Sequence, residues 1–255
     1  MIQAQANIIS VLEKHAFELH PVIFFNKATD RIVSLDLSKT NTGFTEGIYN
    51  DTDLFSRYID QQRKNTNATF LIGGYREHRE MYRRSKLFDK SLLTEVETND
   101  EPRSLHLGTD IWGVAGTKIF APLGGMVHSF AYNDNYGDYG ATIILQHQLD
   151  TVNFYTLYGH LSLNDIHKLR KGQFISRGEP FAQFGKQEEN GHWPPHLHFQ
   201  IILTMSNYEG DYPGVCKMSE VEKYLQNSPN PDFILQLNQY TAPPILTEEE
   251  GKGED

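Results

Sequence analysis

The chain has 255 residues, 38% of them hydrophobic, with 23 Lys or Arg against 33 Asp or Glu and a formal charge of −10. That acidic balance argues against a nucleic-acid partner and against attraction to an anionic membrane, since both favour a basic surface. A single cysteine, Cys216, excludes an intramolecular disulfide and any Cys-x-x-Cys knuckle, so a metal would have to sit on His and carboxylate.

The first residues lack a basic segment followed by an apolar core, and no stretch reaches the length needed to cross a bilayer, so a cytoplasmic protein is expected. Ile8, Val11, Leu12, Ala16 and Leu19 recur at helical spacing, which predicts an amphipathic helix over 8–19. Ile32, Val33, Leu35 and Leu37 predict a short strand. Leu54, Phe55, Tyr58 and Ile59 share one face of a second helix, with Asp51 or Thr52 available to cap it. Residues 69–72 read as a buried strand or the start of a helix, ended by Gly73-Gly74. Residues 75–88 carry Arg76, Arg79, Arg83, Arg84 and Lys86 beside Glu77 and Glu80. The favoured reading is a solvated helix with internal ion pairs; the competing one is a patch that holds an anionic substrate group near the active site. Polar residues 95–104, with Pro102, make the best linker candidate.

From 105 to 203 the chain changes to short apolar runs punctuated by Gly and Pro, with strands expected at 118–121, 126–130, 142–146, 153–158, 180–184 and 197–203. Residues 122–125 read as a turn, 133–140 as a long loop and 219–226 as a short helix. The acidic stretch 243–255 has the composition of a disordered tail. The expected fold is mainly β, α+β overall: an antiparallel sandwich or barrel-like core over 105–240 beside a smaller mixed helical region over 1–100.

Two phrases carry candidate chemistry. In His106-Leu107-Gly108-Thr109-Asp110 an extended strand would put His106, Gly108 and Asp110 on one face, and in Pro195-His196-Leu197-His198-Phe199 it would put His196 and His198 on one face. Gly108 lets backbone or ligand approach closely. Hydrolytic zinc takes three protein ligands and leaves a position for water. His106, Asp110 and one of His196 or His198 would suffice, leaving the other histidine, with His160, to assist. Either fragment alone is more often a hydrogen-bonded core feature than a ligand set. His15, His20, His78, His128, His147, His167 and His192 read as surface or hydrogen-bonded residues, with His192 notable for lying four residues before His196. Tyr136, Tyr139, Tyr155 and Trp193 would more often be core than groove.

The phrases His106-x-x-x-Asp110, Ala121-Pro122-Leu123-Gly124-Gly125-Met126-Val127, Tyr158-Gly159-His160-Leu161-Ser162, Gly172, Gly178 and His196-x-His198, in that order, resemble the LytM or lysostaphin-type zinc metallopeptidases over roughly 105–202. The resemblance implies one zinc on His106, Asp110 and His198, catalysis by His160 and His196, and hydrolysis of peptide or amide bonds in a peptide or small amide-containing substrate. Members of that family cut bacterial cell-wall cross-links. This chain departs from the pattern in the residues before His196, where Trp193, Pro194 and Pro195 replace small residues and would remodel the groove wall, and in Gln200, where the family often has Glu. Two other readings remain open: a non-catalytic metal-binding or regulatory module that keeps the fold, and a carrier-type barrel, which would need a modified Lys or phosphorylated His.

Overall fold

The structure, a computed structural model, describes residues 2–89 and 101–242. Helix α1 (Ile2–Lys14) places Ile8 and Leu12 in the core and is followed by a short 3-10 turn, Ala16–Glu18, so the predicted first helix begins earlier and ends sooner than its apolar spacing suggested. Strand β1 (Ile32–Ser34) forms where expected. Beyond the single turn α2 (Glu46–Tyr49), helix α3 (Thr52–Asn65) starts at Asp51, whose carboxylate accepts the Asp53 and Leu54 amides and so satisfies two of the donors left free at a helix start. Residues 69–72 resolve as strand β2 (Phe70–Gly73).

The β-rich stretch follows the predicted order. It comprises β3 (Arg103–His106), β4 (Thr109–Trp112), β5 (Lys118–Phe120), β6 (Gly125–Asn133), β7 (Gly140–Leu149), β8 (Val152–Leu161), the turn of helix α4 (Leu163–Ile166), β9 (Phe174–Ile175), β10 (Pro180–Gln183) and β11 (His196–Ile202). Strand β12 (Val215–Lys217), helix α5 (Val221–Asn227), helix α6 (Asp232–Leu235) and strand β13 (Thr241–Ala242) complete the described chain. The acidic stretch 243–255 and most of the linker candidate lie outside the described residues.

The expected core over 105–240 is antiparallel in every strand pair described there, but it does not close into a barrel. One open, mixed, nine-stranded sheet runs β13-β1-β2-β4-β11-β8-β7-β6-β9, flanked by two-stranded ribbons β10-β5 and β12-β3. The mixing has a local cause. The connection from β1 to β2 passes through α3, and such a helical crossover joins parallel strands, whereas the hairpin from β7 to β8 is antiparallel. The helical N-terminal region is therefore also a strand donor, with β2 pairing antiparallel to β4.

Alternation along the central strands separates two faces. Phe70, Ile72, Ile111, Leu197, Phe199 and Ile201 point into the larger core with α1, while Leu71 and Trp112 point the other way, against Phe55, Ile59, Tyr82 and Trp193. Asp110, His196 and His198 belong to this second face. Burying each such aliphatic side chain stabilises the fold by about 1.5–3 kcal/mol before entropy is counted. The charged run 75–88 is not a solvated helix: it holds one 3-10 turn, Met81–Arg84, and Arg79 is fully buried. Its charge is compensated inside the protein by Glu77 and Asp110, so it does not need solvent.

Candidate metal centre

Sheet register brings the two phrases together. His198 on β11 lies directly opposite Asp110 on β4 and Gly159 on β8, and His196 lies opposite Trp112. Residues 106–110 do not form the continuous strand that same-face alternation assumed. His106 closes β3, which pairs with β12, and Leu107-Gly108 carries the chain across to β4. That break lets His106 and Asp110 approach His198 from different sides. Gly108 is needed at the crossing, because a Cβ there would sit 2.5 Å from the His198 ring and 2.8 Å from the Phe199 carbonyl oxygen.

His106 Nε2 stands 2.9 Å from His198 Nδ1 and 3.4 Å from Asp110 Oδ1, and His198 Nδ1 stands 3.2 Å from the same oxygen. Their partners define which atoms carry protons. His106 Nδ1 donates to the Gly74 carbonyl at 3.0 Å, which leaves Nε2 a bare acceptor. His198 Nε2 donates to Gln200 Oε1 at 3.0 Å, which leaves Nδ1 bare. Gln200 is held in that orientation because its amide nitrogen donates to Ser228 Oγ and the Pro213 carbonyl. Three lone pairs thus face one another in a site where each residue is at most 2% exposed, with no proton between them. Such an arrangement is repulsive unless a cation sits at its centre. Ligand atoms about 2.0–2.2 Å from a tetrahedral zinc lie roughly 3.3–3.5 Å apart, close to the separations here. Among the described residues, His106, Asp110 and His198 form a group placed for one metal ion.

Two further imidazoles flank the cluster. His196 Nδ1 donates to the Pro194 carbonyl at 2.8 Å, and its Nε2 lies 4.0 Å from Asp110 Oδ1. His160 Nδ1 donates to the Asn190 carbonyl at 2.8 Å, and the His160 and His196 ring centroids are 4.1 Å apart. Both therefore offer a bare Nε2. Strict alternation along β8 would send His160 to the same side as core residue Tyr158. A left-handed φ of +62° at His160 turns it to the metal side instead. That conformation costs a non-glycine residue about 1 kcal/mol or more, and it is held by His160 N–H donating to Tyr139 O and by the Asn190 contact.

Electrostatics suit the arrangement. Burial holds His106 and His196 down to about 4, and burial with the neighbouring His196 holds His160 well below its usual value. These imidazoles are neutral at neutral pH, the form that ligates metal or accepts a proton. For Asp110 burial opposes ionisation, but its surroundings, with the fixed charge of Arg79 among them, hold the carboxyl well below the usual carboxylate range.

The cluster opens into a pocket of about 100 Å³ whose walls include Tyr82, Phe88, Tyr139, Trp193 and Tyr212. Trp193, read from the sequence as more often core than groove, is buried and also lines this pocket. The loop before His196 holds His160, through Asn190, whose side chain is locked by the Trp193 backbone. His192 stays exposed beside Tyr136 and does not join the cluster. Arg79 and Gly74 carried no chemical signal in the sequence beyond their place in or beside the Arg-rich run, yet both touch the cluster.

The mixed sheet supplies Asp110 and His198 and the β12-β3 ribbon supplies His106, and this buried cluster with two flanking imidazoles is a candidate mononuclear metal centre. Residues 104–209 match the model of Peptidase family M23. No curated protein matches the chain. Solved structures similar to it include a zinc-containing peptidase from Vibrio cholerae, at 26% identity over 42% of this chain and 30% of that one, with a TM-score of 0.31. Another is a putative peptidase M23 from Pseudomonas aeruginosa, at 20% identity over 53% and 47%, with a TM-score of 0.34. The catalytic domain of the antimicrobial peptidase lysostaphin from Staphylococcus simulans is 20% identical over 47% and 80%, with a TM-score of 0.32. The chain spans less than half the length of the first two.

Proposed function

We propose that this protein is a zinc-dependent hydrolase of peptide or amide bonds, with His106, Asp110 and His198 as ligands and His160 and His196 as catalytic residues. The observation that carries this reading is the convergence of three unprotonated ligand atoms with two more neutral imidazoles beside them, inside a segment that matches the model of a peptidase family. Zinc in that site would supply Lewis acidity, acidifying water and polarising an amide carbonyl.

The chain's own residues do the rest. His106 and His198 present bare nitrogens because Gly74 and Gln200 take up their other ring protons. His196 Nε2, fixed by the Pro194 carbonyl and by the face of Trp112, accepts the proton of the attacking water. His160 is close enough to His196 that both rings do not carry charge at once. One of the two rings therefore carries the proton and returns it to the leaving amine. The aromatic walls of the pocket suit the apolar parts of a short peptide or small amide conjugate.

Metal analysis coupled to a cleavage screen over glycine-rich, D-amino-acid and short L-peptides tests the reading. The expected result is one zinc per chain and cleavage of a short peptide. A folded protein that takes up no stoichiometric zinc overturns it, and a zinc-loaded protein inert across the panel favours a binding module.

A further inference from the structure

The family match begins at residue 104, yet two of the three clustered groups are held by residues that precede it. The Gly74 carbonyl accepts the His106 Nδ1 proton. Arg79, 1% exposed, donates from Nη1 to Asp110 Oδ2 at 2.6 Å. That contact occupies one carboxylate oxygen and leaves Oδ1 alone to face His106 and His198. Arg79 is itself held on several sides. Its Nε donates to Glu77 Oε2 at 2.5 Å and its Nη1 to the Tyr82 hydroxyl at 3.2 Å, while Glu77 Oε1 accepts the Leu37 amide. Backbone bonds fix the segment against β3: Arg76 N to His106 O, His106 N to Glu77 O, and Arg79 N to Ser104 O. Gly74, at φ +106°, is the hinge, since a Cβ there would lie 2.3 Å from Arg79 Nη2 and 2.7 Å from His106 Nδ1.

We propose that residues 74–79 are an integral part of the metal centre, with Arg79 as a positioning residue that makes Asp110 a one-oxygen ligand. The proposal rests on the zinc reading above. Its physical basis is that a ligating carboxylate is set by the partner on its other oxygen, and a guanidinium fork anchored at three points fixes both its rotation and its share of charge. A solvated surface arginine would do neither.

The test uses the full chain and two readouts: zinc affinity by chelator competition and the visible absorption spectrum of the Co(II)-substituted protein. Arg79→Gln is expected to weaken zinc binding about 10–100-fold, the usual effect of losing a partner of a metal ligand, and to alter the Co(II) bands as Asp110 turns. Arg79→Lys recovers part of the affinity. Glu77→Gln, which leaves the guanidinium in place but loosens it, gives a smaller loss. Asp51→Ala, which disturbs only the cap of α3, leaves affinity and spectrum unchanged and so controls for general destabilisation. Wild-type zinc affinity and an unchanged Co(II) spectrum in folded Arg79→Gln overturn the proposal; should that variant not fold, the same result in Glu77→Gln overturns it. Wild-type protein that binds zinc stoichiometrically while all Arg79 and Glu77 variants match it refutes only the role of Arg79. Wild-type protein that binds none refutes the metal reading together with it.

Discussion

Trp112 lies flat against His196, with ring centroids 3.9 Å apart and planes within 18° of each other. The contact follows from register, since the two residues are directly opposed on β4 and β11. Together with the bond from His196 Nδ1 to Pro194, it leaves the imidazole no freedom to turn. Replacing Trp112 with Ala empties a fully buried site and should cost about 3–5 kcal/mol, seen as a lower urea midpoint. In the folded variant turnover falls while zinc stays at one per chain. Loss of zinc without loss of fold would contradict this division.

His160→Ala and His196→Ala should each lower kcat by about 10²–10⁴-fold, the range for removal of a general acid or base. Zinc content should be unchanged, because neither ring lies among the three converging ligand atoms. His198→Ala and His106→Ala should lose both metal and activity. Metal analysis of purified variants beside single-substrate kinetics separates the two groups.

Gly108→Ala places a methyl group against the His198 ring and the Phe199 carbonyl oxygen, at a φ that is itself not left-handed. The imidazole must shift, so zinc affinity should fall at least about 10-fold while the secondary structure persists. Chelator competition and circular dichroism on the same sample check it. Unchanged affinity would mean that the crossing between β3 and β4 is more pliable than its contacts imply.

Stability of the metal-free protein should fall as pH drops from about 6.5 to about 4. His147 is buried, with Nε2 2.7 Å from Thr156 Oγ1 and Nδ1 donating to the Gly124 carbonyl, and burial lowers it to about 4. His106 and His196 are lowered to the same level. The unfolded chain takes up protons near pH 6.5 that the folded chain refuses until about 4. Their contribution is therefore complete above 6.5 and is lost as pH falls through that window, on the order of 1 kcal/mol per unit for each group. His147→Gln should flatten the dependence by one such share, read from urea midpoints between pH 7.5 and 4.5. A profile that stays level toward acid would refute it.

The sequence by itself determined the parts whose signal is local. Strand positions from 118 to 203 and the Asp51 cap follow from alternation, turn residues and spacing, and the phrases bearing His106, Asp110, His160, His196 and His198 are legible as an ordered set that resembles a known family. Only the tertiary structure decided how the parts meet. The open mixed sheet depends on β2 pairing with β4, a contact between distant residues that no local pattern encodes. His160 reaches the cluster against the alternation of its own strand, because a left-handed backbone held by Asn190 and Tyr139 overrides it. Arg79 reads as one charge in a solvated run until Glu77 and Asp110 compensate it in the interior. Buried charge is a property of partners, and partners are chosen by the fold.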